Sequence, residues 1–282
     1  MGLSNYISTI VQQSLKEDIG SGDITADLIS DDKISEAFVI SRDNAVVCGV
    51  DWVNETFRQV DQELCINWHC NDSDYIEKDA LLFTIIGSSK KILTGERTAL
   101  NFLQFLSGIA TECDQYVKLI NHTKCKLLDT RKTIPGLRLA QKFAVTCGGG
   151  NNHRMGLYDS ILIKENHISA CGSIENAITL ARKLHPKKKL EVEVESIHEF
   201  EIALKYKPDI IMLDNFEKDN LIKAVSLNKN ISKLEASGNI TKKNIKAIAE
   251  TGVDFISMGS LTKNIKAIDL SLKFYERNNR AQ

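Results

Sequence analysis

The sequence predicts an α/β fold whose larger part is an incomplete barrel of about six parallel strands. Two observations lead there. From Lys126 onward, short apolar runs alternate with amphipathic helical segments, and most of the runs end in polar or charged residues. The markers Lys164, Glu193, Asp214 and Glu235 stand 29, 21 and 21 residues apart, the spacing of βα units joined by right-handed crossovers. A complete eight-unit barrel takes about 250 residues. The segment 125–264 has 140, which suits a smaller or open barrel.

The elements follow in order. Residues 5–17 place Ile7, Ile10, Val11 and Leu15 on one helical face, and the Gly-rich stretch from Asp18 to Thr25 breaks the pattern. Residues 34–86 read as several strands with a short helix near 51–60; examples are Phe38–Ile40, Ala45–Cys48 and Leu81–Ile86. A long helix is expected from about Lys91 to Asn121, because Phe102, Leu103, Leu106, Ile109, Ala110, Cys113, Val117 and Ile120 recur at helical spacing. The strands expected beyond it are Lys126–Asp129, Ile161–Lys164, Leu190–Glu195, Ile210–Asp214, Leu234–Ser237 and Phe255–Gly259. Helices are expected at 174–185, 197–207, 219–229 and 243–251.

Composition narrows the function classes. The 282 residues are 43% hydrophobic and 26% charged, an ordinary globular balance with ample core. The formal net charge is -1, so a bulk basic field for nucleic acid is missing, and any anion site must come from clustered cations. No apolar run approaches the roughly 20 residues that span a bilayer. The first 16 residues lack a signal-peptide core. Seven scattered cysteines, an odd number, fit a reducing cytoplasm better than a disulfide framework. The grouping Cys65–Cys70 with His69 lacks a second ligand pair at metal spacing and reads as a strand.

Parallel α/β proteins build their sites where C-terminal strand ends converge. The strand ends here are Asp129–Lys132, Lys164–Asn166, Glu193–Glu195, Asp214–Asn215, Glu235–Gly238 and Met258–Ser260. In Leu190–Glu195 the three glutamates share one face and the two valines the other, which points Glu191, Glu193 and Glu195 into the barrel. Buried carboxylates call for cations or a metal. Arg131, Lys132, Arg138, Arg154 and Lys164 lie at or just beyond strand ends and supply the cations. Such a pocket suits a polyanionic substrate held with a divalent ion, and Glu193 and Asp214 are hard oxygen ligands for magnesium.

Two further stretches are open to more than one reading. Cys147–Arg154 holds three consecutive glycines but neither the dinucleotide fingerprint nor the P-loop spacing; it is either a plain turn or a loop that lets backbone approach a ligand. His153 beside Arg154 is a candidate hydrogen-bond donor to an anion. Ser237-Gly238-Asn239 and Met258-Gly259-Ser260 could be phosphate-binding amide nests or simple turns.

Taken together, these motifs resemble the quinolinate phosphoribosyltransferases, also called nicotinate-nucleotide pyrophosphorylases (carboxylating). The matching stretches run in family order: Glu17–Thr25, Glu96–Asn101, Ser107–Thr111, Leu128–Arg138, Gly148–Arg154, Lys164–His167, Glu191–Glu195, Met212–Asn215, Glu235–Gly238 and Ser257–Gly259. Residues 27–90 match least distinctly. The resemblance implies an N-terminal α/β sandwich over 1–112, joined by a C-terminal helix at 265–282, and an open α/β barrel over 113–264. It implies a homodimer or dimer-based hexamer, with Arg97 reaching into the neighbouring subunit's site. It further implies that Thr130, Arg131, His153, Arg154 and Lys164 hold quinolinate. Lys132, Lys164, Glu193 and Asp214 would serve phosphoribosyl pyrophosphate, with magnesium on Glu193 and Asp214, partly through water or substrate. Catalysis would fall to Lys132, Glu193 and Asp214. Ser237, Gly238, Asn239, Met258, Gly259 and Ser260 would hold the 5-phosphate. No nucleic acid or membrane partner is implied.

Three rivals share parts of this pattern. One is a related phosphoribosyltransferase for another aromatic acid, although the Arg131-Lys132 and His153-Arg154 pairs favour a dicarboxylate. Another is a Schiff-base lyase using Lys132 or Lys164. The third is a non-catalytic phosphate sensor, which leaves the convergence of acids and cations unexplained.

Overall fold

In the computed structural model, which describes residues 2–275, the chain divides into two units. The first takes in residues up to Glu112 and returns at Ile265; the second runs Cys113–Asn264. In chain order the elements are α1 (Leu3–Ile19), β1 (Ile34–Ser41), β2 (Ala45–Val46), α2 (Val50–Val60), β3 (Cys65–Trp68), β4 (Tyr75–Ile76), β5 (Leu81–Ser88) and α3 (Ser89–Ile120), inside which the unit boundary falls. There follow β6 (Lys126–Leu128), α4 (Arg138–Cys147), β7 (Ile161–Ile163), α5 (Glu165–Cys171), α6 (Ile174–Leu184), β8 (Leu190–Val194), α7 (Ile197–Lys205), β9 (Ile210–Asp214), α8 (Lys218–Asn228), β10 (Lys233–Ser237), α9 (Ile245–Ala249), β11 (Phe255–Ser257), α10 (Ser260–Lys263) and β12 (Leu270–Phe274).

The first unit is built on a four-stranded antiparallel sheet ordered β12-β1-β5-β3. In β1 the residues alternate, burying Ala37, Val39 and Ser41. Phe57 of α2 and Leu100 and Leu103 of α3 pack with Phe83 and Ile85 of β5 in one apolar cluster. Helices on one face of a sheet give the two-layer unit that the resemblance implies. Cys65 falls in a strand, β3, as its context suggested.

The chain does not form the C-terminal helix expected at 265–282 over its described part, 265–275. Residues Leu270–Phe274 form a strand, β12, paired antiparallel with β1 from Ala37↔Phe274 to Ser41↔Leu270. Leu270, Leu272 and Phe274 all pack on the sheet's core, a period of two and not 3.6. Pairing with β1 also satisfies the backbone of both strands. The remainder of that expected helix, 276–282, lies outside the described residues.

The second unit holds six parallel strands ordered β6-β11-β10-β9-β8-β7. Every residue of β8 is buried, as in parallel strands covered on both faces. Ser173 and Ser196 cap α6 and α7 by accepting the amides of Asn176 and Glu199. Consecutive strands β6 and β7 stand at opposite edges of this sheet, so the barrel stays open between them. Part of that seam is filled by the backbone after α4. The Asn151 N–H donates to Leu127 O at 2.8 Å, and Asn151 O accepts the Asp129 N–H at 3.1 Å. No helix among the described residues is long and apolar enough to cross a membrane.

Candidate active site

Parallel strands deliver their C-terminal ends to one side of the sheet. Six ends therefore meet around a cavity of about 370 Å³. Thr130, Arg131 and Lys132 follow β6, Lys164 follows β7, Glu193 lies near the end of β8, and Asp214, Ser237 and Ser257 end β9, β10 and β11. His153 and Arg154 enter from the seam segment, and Leu162 and Met212 supply apolar wall. Residues up to 127 positions apart in sequence thus share one mouth, as the convergence argument requires.

Cations and acids share this mouth. Lys164 forms an ion pair with Glu193. Burial and the neighbouring charge of Asp214 push the Glu193 carboxyl upward, while Lys164 pulls it back down. Glu193 and Asp214 are the carboxylates on this wall. Two adjacent hard oxygen donors, one of them 9% exposed, fit a magnesium ion that keeps its waters and shares substrate oxygens. Arg131 carries a buried Nε with no hydrogen-bond acceptor. Arg154 spends one guanidinium nitrogen on Ser160 O, at 3.1 Å. Burial first, and then the charge of Arg131, lowers its pKa, while Glu191 and Asp159 pull it back up. An anion between the two guanidinium groups would relieve both.

Arg138, also read as a cation of the site, is used otherwise. It donates to Thr133 Oγ1 at 3.0 Å, Met155 O at 3.1 Å and Arg131 O at 3.4 Å, and so clamps the loop that carries Arg131. Glu195, expected to face inward, is exposed beyond the end of β8. Arg97 belongs to the first unit; its side chain is 60% exposed and lies 3.8 Å from Glu96.

The two candidate nests adjoin the cavity. Gly238 and Asn239 are consecutive left-handed residues, at φ 90° and 49°. A Cβ on Gly238 would come within 2.1 Å of Asn215 Oδ1, so only glycine fits there. Asn239 Nδ2 donates to the same Asn215 oxygen at 3.0 Å, tying this turn to the end of β9. Met258 N–H donates to Leu128 O at 3.0 Å. Gly259 passes so close to Lys132 that a Cβ would meet its Cδ at 2.7 Å. Ser260 begins α10, and Thr262 Oγ1 donates to Lys132 O at 2.8 Å. Lys132 is therefore held against the turn before α10.

Two buried groups stand behind the wall; Lys142 was not singled out from the sequence, whereas Glu191 was expected to point inward and is buried. Lys142 of α4 forms an ion pair with Asp129, both side chains fully buried. Burial lifts the Asp129 carboxyl to about 6 against the pull of Lys142. Asp129 Oδ1 accepts the His153 N–H at 2.9 Å, and Lys142 donates to His153 O at 3.0 Å. A lysine among Ala140, Ala144 and Val145 was the available signal. The second group is Glu191 and Glu235, buried around the His153 ring. Nε2 of that ring lies 2.9 Å from Glu191 and 3.7 Å from Glu235.

Comparison with known proteins agrees with this geometry. The profile described as "Quinolinate phosphoribosyl transferase, N-terminal domain" matches residues 23–107, and the profile for the C-terminal domain of the same family matches residues 109–273. The probable nicotinate-nucleotide pyrophosphorylase [carboxylating] of Bacillus subtilis is 39% identical over 91% of this chain and 89% of its own. The structure of the nicotinate-nucleotide pyrophosphorylase from Francisella tularensis superposes with a TM-score of 0.95 at 50% identity, covering 98% of both chains. That from Ehrlichia chaffeensis superposes at 0.92 with 36% identity, covering 98% of this chain and 99% of its own. Two adjacent profiles cover the two units in order, and close relatives share the whole length. The chain therefore belongs to the quinolinate phosphoribosyl transferase family.

Proposed function

We propose that this chain joins quinolinate to phosphoribosyl pyrophosphate and releases carbon dioxide and pyrophosphate, giving nicotinate mononucleotide in de novo NAD biosynthesis. The observation that carries this reading is one cavity lined by Arg131, Arg154 and Lys164 together with Glu193 and Asp214, with Lys164 paired to Glu193. A dicarboxylate needs the first set, and a pyrophosphate with a divalent ion needs the second.

Arg131, Arg154 and Lys164, with the Thr130 hydroxyl, take the quinolinate carboxylates; His153 backs Arg154 in this set. Glu193 and Asp214 would hold magnesium, partly through water or substrate oxygens, and when bound it supplies positive charge to the pyrophosphate oxygens. Lys132 adds its own charge to the departing pyrophosphate. Residues 237–239 and 258–260 hold the 5-phosphate, on turns whose glycines let Asn215 and Lys132 pack against the backbone. Glu193 faces the ribose C1 as that carbon becomes positive. The pyridine nitrogen attacks C1 and becomes a pyridinium. The adjacent carboxylate then leaves as carbon dioxide, its bonding electrons stay on the ring carbon, and that carbon takes a proton. A water-poor wall favours the loss, because it removes a charge.

The assembly is read as a homodimer or dimer-based hexamer in which Arg97 of one copy enters its neighbour's site. The 60% exposure of that side chain supports this reading. The location is read as cytoplasmic, from the scattered cysteines.

The purified protein, mixed with quinolinate, phosphoribosyl pyrophosphate and magnesium, should yield nicotinate mononucleotide and carbon dioxide in equal amounts. No product under these conditions would overturn the reading. Product from nicotinate without gas release would favour the related transferase for another aromatic acid. A borohydride-trapped substrate adduct on Lys132 or Lys164 would favour the lyase.

A further inference from the structure

The carboxyl of Glu235 sits in the middle of β10, fully buried, and neither of its oxygens makes a hydrogen bond of good geometry. Glu191 of β8 is also buried, at 3% exposure. Two acids side by side in the interior work against folding unless protonated or paired, and an amide or hydrocarbon of the same size would be more stable. Local rules are broken in this way where a site requires it.

Both acids face His153, whose backbone and Nδ1 are hydrogen-bonded and whose Nε2, close to the acids, makes no hydrogen bond of good geometry. Its N–H goes to Asp129 and its carbonyl to Lys142. Its Nδ1 accepts the Arg154 N–H at 2.8 Å. Its Nε2 is turned toward Glu191 and Glu235. Burial disfavours a charged ring while the acids favour one, with a net upward pull on its pKa. The amide N–H aimed at Nδ1 opposes that second proton, because an N–H cannot donate to another N–H. The ring is thus fixed with its proton on Nε2. It also stands as a partition: His153 and Arg154 line the catalytic cavity on one side and, on the other, a cavity of about 400 Å³ at the N-terminal ends of the strands.

We propose that Glu235 is a positioning residue for quinolinate: with Glu191 it holds the His153 ring, and the ring holds the Arg154 amide that sets the Arg154 guanidinium at the cavity wall. The inference rests on the reading that Arg154 binds a quinolinate carboxylate. His153 then contributes through Arg154 and makes no contact of its own with the ligand through a ring nitrogen.

The test is steady-state kinetics on Glu235→Gln with Arg154→Ala beside it. Assayed at pH 8.5, where the Glu235 carboxyl raised to about 8 has largely given up its proton, Glu235→Gln should raise the quinolinate KM on the order of tenfold, leave the phosphoribosyl pyrophosphate KM unchanged, and melt no lower than the parent. An unchanged quinolinate KM would overturn the inference, as would both KM values rising together with a lowered Tm. If Arg154→Ala raises the quinolinate KM and Glu235→Gln does not, only this inference fails. If Arg154→Ala leaves it unchanged, the reading of Arg154 fails and this role with it. Ring-nitrogen NMR of the unmodified enzyme, which has six histidines, gives a check that needs no variant. His153 should carry its proton on Nε2 with Nδ1 bare at pH 7.5. A proton on Nδ1 would overturn the inference.

Discussion

Asp129 and Lys142 form an ion pair in which neither side chain reaches solvent, and the pair grips both the N–H and the carbonyl of His153. Removing one partner leaves the other charge stranded in the interior. Lys142→Met should therefore cost about 3–5 kcal/mol, measured by urea unfolding. The double variant Asp129→Leu, Lys142→Met should regain part of that loss, since a hydrocarbon pair leaves no buried charge. A single variant as stable as the parent would show that the pair matters little.

Arg131 keeps a buried guanidinium nitrogen without an acceptor, an arrangement that a bound carboxylate would complete. Arg131→Ala should lower kcat/KM for quinolinate by about 10²-fold or more while circular dichroism and Tm stay at parent values. Wild-type turnover by this variant would remove Arg131 from the site.

Stability should fall with pH through the buried acids. Burial and the charge of Glu191 raise the Glu235 carboxyl to about 8 from an ordinary 4.5, with His153 and Lys189 pulling the other way. Below 4.5 both the folded and unfolded chains hold this proton, and its contribution is complete. Between that point and about 8 the unfolded chain has released the proton and the folded one has not, so stability declines as pH rises. Asp129, raised from 3.8 to about 6, adds to the decline only at its lower end. Tm measured from pH 6 to 8 should drop for the parent and drop less for Glu235→Gln. Parallel curves would show that Glu235 is ionised throughout.

Gly238 combines a left-handed backbone with contact against Asn215. Gly238→Ala should lose about 1–3 kcal/mol of stability and raise the KM for phosphoribosyl pyrophosphate while that for quinolinate holds. Equal effects on the two substrates would count against a phosphate role for this turn.

Metal dependence can be read directly. Turnover should stop in EDTA and return with added magnesium, and Asp214→Asn should raise the magnesium concentration needed for half-maximal rate. Full activity in EDTA would remove Glu193 and Asp214 from the role of ion ligands.

Much of the second unit was legible because each strand is a short apolar run with a polar end. Ile210–Asp214 was read to the residue, and Leu190–Val194 fell one short of its expected end at Glu195. That extra residue is why Glu195 was expected indoors: the alternation holds only as far as the strand does. The cavity's acids and cations were legible as strand ends. Their supports were not, since Lys142 and Asp129 stand 13 positions apart and nothing local marks them as partners. Arg138 shows the converse: its charge was visible, but not the three acceptors that absorb its donors. The alternating Leu270, Leu272 and Phe274 carried a strand signal that the resemblance to a helical ending overrode.

The open seam between β6 and β7 has a consequence for how this scaffold can change. In a closed cylinder every strand's tilt and stagger is tied to all the others. Here the segment from Asn151 to Arg154 is stitched to one edge by two backbone hydrogen bonds at a single residue. Acceptor preference could therefore drift, or be engineered, by remodelling that patch together with the side chains that grip His153, namely Asp129, Lys142, Glu191 and Glu235, with the backbone register of the six strands left unchanged.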